Sequence, residues 1–377
     1  MERFSLSDIK VKNRIDIFHY IYNNPCSSKQ KIANQLGITL PTVTQHLTAL
    51  MEDQLVEKSG QLNSTCGRKA TSYSIISTAR IAIGIELTEH TVHIAAVDLY
   101  VVKKAKVKIN LKFERTEAYF ETLRDHVLAF IEKYHFKNEQ ILGIGIGIQG
   151  LVSQGGRRIT YATVIDVEGL SIDIFEKYFS WPCRFIHNTD CAANSELWVN
   201  PEINDAIYLS LCMHLGGALI LNRQIKEGIT GKSGIFEHMT LIPGGRPCYC
   251  GRTGCAECYC SASTFLDDQM DLDDFFQQKA QGNSDYQKRW EEFLYYLAIL
   301  INNLHMVLES TVILGGDIIP YLTDKDLKML QDKVVEFSAF GDAPTYILPG
   351  KCRNDAVAIG AALPFIQEFL QNFIEES

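Results

Sequence analysis

No stretch of about 18 consecutive uncharged apolar residues, the length that crosses a bilayer as a helix, occurs in this chain of 377 residues, and a membrane span is excluded. The most apolar runs are broken, 141–152 by glycines and 294–308 by Asn302, Asn303 and His305. Residues 1–12 are polar and lack the apolar centre of a secretory signal, which makes the cytoplasm the expected compartment. Positive charge is also short. With 36 Lys/Arg against 45 Asp/Glu the net charge is −9, the wrong sign for a chain that holds nucleic acid over its whole surface. Disorder over most of the length is excluded by 46% hydrophobic and only 21% charged residues. A soluble globular chain remains, long enough for about two or three domains.

The average charge conceals a split. Residues 1–80 carry ten Lys/Arg and six Asp/Glu, a balance of +4; residues 81–377 carry the other twenty-six and thirty-nine, a balance of −13. This asymmetry describes a small basic module on a large acidic body. Cysteine is clustered as well, with five of eleven between Cys248 and Cys260. Without a secretion signal, such clustering points to a metal before disulfides.

In the basic module, 13–23 places Ile15, Phe18, Ile21 and Tyr22 at helical spacing, and Pro25 ends that helix. Ser27 or Ser28 can cap a second helix over about 29–36, with Ile32, Ala33 and Leu36 on one side. Gly37 supplies a turn. Thr39 or Leu40 then precedes a third helix that takes Pro41 in its first turn and buries Val43, Leu47 and Leu50. Thr42, Thr44, Gln45 and His46 are expected to face outward. Helix, glycine turn and a helix fronted by small polar residues form the helix-turn-helix pattern, whose second helix enters the major groove. Thr39, Pro41, Thr42, Thr44, Gln45 and His46 are the candidate reading residues for double-stranded DNA. Residues 55–58 and 71–75 read as strands around a polar loop ending in Gly67, Arg68 and Lys69, a wing whose two cations can enter a minor groove. The alternative for this module is a helical domain that docks a protein.

In the acidic body, 81–87, 90–99 and 106–111 are expected strands, 118–134 an amphipathic helix and 141–148 a buried strand with alternating glycines. They open an α/β lobe, and a comparable order begins again at 206–221, so two related lobes with a cleft between them are expected. The segment from Ser233 to Leu266, SGIFEHMTLIPGGRPCYCGRTGCAECYCSASTFL, is similar to the signature of the ROK family, which comprises sugar kinases and kinase-derived repressors. The ROK-like region spans about residues 80–365, and the winged helix before it resembles the repressor branch. The resemblance implies an α/β chain: a winged helix-turn-helix head at 1–78, then a two-lobed actin/hexokinase-like body. Lobe 1 is expected at 79–190, completed by a C-terminal helix at 355–375, and lobe 2 at 191–354 with the cysteine loop. That last helix either couples the head to the body or packs on lobe 1 alone.

His238, Cys248, Cys250 and Cys255 are spaced H-x9-C-x-C-x4-C. One imidazole and three thiolates suit tetrahedral Zn2+ with no open position, hence a structural site. The resemblance assigns zinc to the same four residues. Cys258 and Cys260 are expected as buried or spare thiols, or as substitutes for a ligand.

A sugar kinase needs a carboxylate base and glycine-rich turns for the ATP phosphates. Where the family resembles Asp-x-Gly-Gly-Thr, this chain has Glu86-Leu87-Thr88-Glu89-His90, with no glycine and two acids. The second turn, Cys212 to Ala218, keeps only Gly216 and Gly217. The catalytic segment Glu-Asn-Asp-x-Asn-Ala-Ala corresponds to 187–193: registered on Glu196, the base position is Asn188, whereas a gap slides Asp190 into it. The sugar-holding Gly-Glu-x-Gly-His is Gly234-Ile235-Phe236-Glu237-His238, its carboxylate moved to Glu237, and Glu257 keeps its place after the zinc loop. Asn188, Asp190, Glu237, His238 and Glu257 are the candidate effector residues. The expected protein is a DNA-binding regulator of carbohydrate utilisation, a repressor with a catalytically degenerate body, acting as a homodimer or tetramer under a carbohydrate effector. The alternatives are an active sugar kinase with a regulatory head and a zinc-stabilised scaffold.

Overall fold

The structure is a computed structural model and describes residues 6–62, 70–267, 269–341, 344–352 and 355–373. The head runs through α1 (Leu6–Asn23), β1 (Ser27–Ser28), α2 (Lys29–Leu36), α3 (Leu40–Glu52), β2 (Val56–Leu62) and β3 (Ala70–Ile75). Helix α1 starts earlier than its apolar stripe because Ile9, Lys10 and Lys12 in its first turns face solvent. Ser28 caps α2 by accepting the Lys31 N–H, and Gly37 closes that helix in the left-handed region at φ +67°. Thr39 caps α3 by accepting the Thr42 N–H. The three short strands pair in the order β1-β3-β2, placing a winged sheet beside the helices.

Lobe 1 contains β4 (Ile81–Leu87), β5 (Thr91–Asp98), β6 (Lys103–Asn110), α4 (Glu117–Lys133), β7 (Ile141–Ile148), β8 (Leu151–Val152), β9 (Ile159–Tyr161), α5 (Asp173–Glu176), β10 (Cys183–His187) and α6 (Asn188–Val199). Lobe 2 contains β11 (Ala206–Leu211), β12 (Leu215–Leu221), β13 (Gln224–Ile225), α7 (Glu257–Cys260), α8 (Leu272–Ala280), α9 (Ser284–Val307), β14 (Thr311–Gly315), α10 (Asp324–Phe337) and β15 (Ile347–Pro349). The sheets are ordered β6-β5-β4-β7-β10 and β13-β12-β11-β14-β15. In each, an antiparallel meander of three strands is extended by two parallel strands. The comparable order read in the sequence is thus one plan used twice. The expected lobe boundary at 190/191 falls inside α6.

Helix α11 (Ala356–Asn372) returns to lobe 1. Its backbone rests directly on the sheet: a Cβ at Gly84 would overlap the Ala358 carbonyl, and one at Gly145 the Ala361 carbonyl. Gly360 grants the same approach to the Cys191 carbonyl on α6. The other end of α11 enters the head. Phe18, Ile21, Leu47, Leu99, Phe365 and Ile366 belong to one buried cluster that joins α1, α3, the β5 end and α11. Each such side chain contributes about 1.5–3 kcal/mol when fully buried. The Phe18 ring lies 4.2 Å from Phe373, and Tyr22 stacks on Tyr100 at 4.6 Å and 9°. Tyr22 Oη donates to the Leu99 carbonyl (2.8 Å), Tyr100 Oη donates to the Tyr22 carbonyl (3.1 Å), and Trp198 Nε1 donates to the Tyr100 carbonyl (3.2 Å). The Arg80 guanidinium covers Phe369 at 5.5 Å. Helix α11 therefore packs on lobe 1 and also reaches the head, so it does not rest on lobe 1 alone.

Candidate functional site

On α3, Thr39, Leu40, Pro41, Gln45 and Thr48 are exposed, and Thr42 and Thr44 are half-buried. The Thr39 and Thr42 hydroxyls share a 2.8 Å hydrogen bond, and Thr48 Oγ1 donates to the Thr44 carbonyl at 2.9 Å. His46 departs from expectation. It is buried (8% exposed), because position 46 lies three residues after Val43 and so shares the core-facing side of the helix. Burial, with Arg14 and Lys10 nearby, lowers its pKa and keeps it neutral. Thr48, missed in the sequence, follows Thr44 by one turn, a spacing that could have found it. Arg68 and Lys69 lie outside the described residues.

Between the lobes lies a cleft of about 980 Å³. Of the five candidate effector residues, Asn188, Glu237 and His238 line it. Asn188 opens α6, whose amino terminus follows β10 directly. Glu237 is buried (9% exposed), and its Oε2 has no hydrogen-bond partner among the described residues. Burial pushes its pKa up to about 8; a backbone hydrogen bond opposes the shift, and Glu257 and Asp190 add to it.

Glu257 and Asp190 are placed differently. Glu257 is buried and turned toward lobe 2: His214 Nδ1 lies 2.8 Å from its Oε1, and Leu215 N–H donates to its Oε2 at 2.7 Å. It fixes the turn carrying His214, which itself lines the cleft and was missed because Glu257 lies 43 residues away in sequence. Asp190 is not among the lining residues. Burial, then the charge of Glu227, raises its pKa to about 7. Burial lowers the neighbouring His187 to about 4.

The turns where ATP phosphates would rest are closed on themselves. Thr88 N–H donates to the Thr91 carbonyl and Thr91 N–H to Thr88 Oγ1, both at 3.0 Å, and Glu86 lies 3.2 Å from His93. Gly216 and Gly217 are packing residues: a Cβ would strike Thr189 in one case and Phe236 in the other. After β14, in the turn Gly315-Gly316-Asp317, Asp317 N–H points to Cys212 Sγ at 3.4 Å.

The cysteine loop gathers His238, Cys248, Cys250 and Cys255, whose donor atoms all lie within 4.8 Å of one another. His238 Nδ1 is 3.8 Å from Cys248 Sγ, and Cys250 Sγ is 3.7 Å from Cys255 Sγ. A tetrahedral ion with the usual bond lengths to sulfur and nitrogen needs edges of about 3.6–3.8 Å, so the cluster fits a metal ion. Gly254, at φ +77°, is required here, since a side chain would meet the Ile242 carbonyl. Cys258 Sγ donates to the Pro247 carbonyl (3.3 Å) and also lies beside the Cys248 thiol, and Cys260 is fully buried. Tyr249 of this loop meets the rings of His214 (5.5 Å) and His238 (5.3 Å) edge-on.

The head and body match known families separately: residues 12–57 the winged helix-turn-helix DNA-binding family, residues 82–368 the ROK family. The chain belongs to the ROK family. It is 24% identical over 374 residues to the xylose repressor of Bacillus spizizenii, covering 96% of each chain. It is 28% identical over 253 residues to the DNA-binding transcriptional dual regulator NagC of Escherichia coli, covering 66% of this chain and 62% of that one. Among solved structures, a ROK family transcriptional regulator, homolog of the E. coli MLC protein, matches with TM-score 0.78 at 17% identity over 98% of this chain and 100% of that one. A ROK hexokinase from Thermus thermophilus matches with TM-score 0.66 at 20% identity over 77% of this chain and 99% of that one. The regulator fold accounts for head and body together, the kinase fold for the body alone.

Proposed function

We propose that this protein is a carbohydrate-responsive transcriptional repressor of the cytoplasm. The observation that carries the reading is the exposed front of α3, with Thr39, Pro41, Gln45 and Thr48 on a head whose core is continuous with the cleft-bearing body. Thr42 and Thr44 flank that face, and Arg68 and Lys69 of the wing supply phosphate or minor-groove contacts. A homodimer or tetramer places two heads on a palindromic double-stranded operator. A carbohydrate effector takes the cleft, held by Asn188, Glu237 and His238, with Asp190 and Glu257 as supports.

Zn2+ at His238, Cys248, Cys250 and Cys255 folds the loop that carries His238 to the cleft and supplies no open coordination position. The body is catalytically silent: an amide at Asn188 cannot take the proton of an attacking hydroxyl, and two acids stand in the first phosphate turn. The domain limits are taken as 1–78 for the head, 79–199 with the C-terminal helix for lobe 1, and 200–354 for lobe 2, the boundary between the lobes moved from 190/191 to the end of α6. The test is a mobility shift of the full-length protein on its own upstream DNA, with and without sugars. A shift relieved by a sugar is expected; its absence at low salt rejects the reading. ATP-dependent phosphorylation of a hexose, N-acetylhexosamine or pentose would overturn the silent body.

A further inference from the structure

The cleft is acidic where a phosphate would have to go. Its lining includes Glu86, Glu227, Glu237 and Asp317 against Lys232 and Arg252. Arg252 is tied back to the cysteine loop, donating from Nη2 to Thr240 Oγ1 at 2.9 Å. An anion cradle is built from backbone N–H groups that point at the ligand. Here the amides of Thr88, Thr91, Leu215 and Asp317 all donate within the protein.

Against this, Glu237 offers a buried carboxyl oxygen with no protein partner among the described residues, which a sugar hydroxyl satisfies. The volume of 980 Å³ stands at the upper end of the range of about 300–1,000 Å³ that encloses a drug-sized ligand, and one hexose fills only part of it. Two exposed tyrosines line the cleft from opposite sides, Tyr161 on β9 of lobe 1 (40% exposed) and Tyr249 on the cysteine loop of lobe 2 (47% exposed). Each offers a flat apolar face with a polar tip, the shape that covers the C–H face of a sugar ring.

Resting on the reading of this cleft as the effector site, we infer that its ligand is an uncharged saccharide of two or more units, and that sugar phosphates are rejected. The inner unit hydrogen-bonds to Glu237 and Asn188, and an outer unit lies on Tyr161.

The experiment titrates the full-length protein by calorimetry and thermal shift. The probes are xylose, glucose and N-acetylglucosamine; the 6-phosphates of the two hexoses; and xylobiose, cellobiose, maltose and diacetylchitobiose. At least one disaccharide is expected to bind about tenfold or more tighter than its parent monosaccharide, with no response to either 6-phosphate. Tyr161→Ala is expected to weaken that disaccharide by about threefold to tenfold and leave its monosaccharide unchanged. A 6-phosphate that binds tighter than its neutral sugar overturns the inference and leaves the carbohydrate reading standing. So does a monosaccharide that binds as tightly as its dimer. A Tyr161→Ala variant that weakens both sugars equally, or neither, removes the outer subsite. If no saccharide of any kind binds, the carbohydrate reading falls with it.

Discussion

Lobe 1 and lobe 2 use the same five-strand order and are held together by different means. Lobe 1 shares buried side chains with the head, and α11 lies with its backbone against the sheet glycines. Lobe 2 has its own core around Trp290, Phe293 and Leu297, and its cleft-facing loop is a glycine-rich length of chain drawn in by four side chains that can hold a metal. One lobe is fixed by non-local hydrophobic contact, and the other gathers at its functional edge a His/Cys cluster that can hold a metal. The head therefore shares one continuous core with lobe 1, and lobe 2 stands on its own core.

The largest test of this contrast is removal of a metal ligand. Cys255→Ser is expected to abolish stoichiometric zinc and lower the melting temperature by about 10 °C or more, with disaccharide binding abolished. Metal analysis beside a thermal scan reads both, and a chelator that leaves the melting curve unchanged rejects a structural metal. Phe18→Ala attacks the other side. Removing a fully buried ring there costs about 3–5 kcal/mol and is expected to weaken operator binding while calorimetry still finds the cleft intact. Loss of both functions would show that head and lobe 2 are not separable in this way.

The DNA face gives a smaller and more selective effect. Arg68→Ala with Lys69→Ala is expected to flatten the salt dependence of binding, by about one unit of slope for each phosphate no longer neutralised. Gln45→Ala is expected to relax preference at one base pair, worth about 1–3 kcal/mol. His46→Ala is expected to lower stability without altering site preference, since the ring is buried; a changed preference would return it to the reading face.

A further effect is on pH. The folded Asp190 carboxyl keeps its proton to about 7, while the unfolded chain loses it near its ordinary value of 3.8. Stability from this group is complete below about 4 and falls as pH rises to 7. His187 works in the opposite sense, its lowered pKa of about 4 removing stability as pH falls below 6.5. Asp190→Asn is expected to gain stability over the parent progressively between pH 4 and 7 in urea titrations; a constant difference across that window would refute the buried, protonated carboxyl.

The head was legible because its helices are short, capped and separated by Gly37, and the His/Cys cluster because its four members fall within one segment of fixed spacing. The turn of the His46 ring was not, since its three-residue offset from Val43 is easily read as the flank of the helix. Nor was the Tyr22–Tyr100 stack, which joins residues with no shared periodicity. The register between Asn188 and Asp190 stayed open in the sequence; the backbone places Asn188 at the cleft and Asp190 outside its lining. Glu257 kept its expected position but faces His214, a relation that only the closed turn creates.

The continuity of α11 with the head has a consequence for exchanging parts between relatives. A winged helix cut out at residue 79 would leave behind Tyr100, Phe369 and Phe373, the surfaces on which Tyr22 and Phe18 rest. The reading head is thus not a cassette. A chimera that transplants its operator preference has to carry the far end of the chain along with the near one, so the two termini form one inheritable unit.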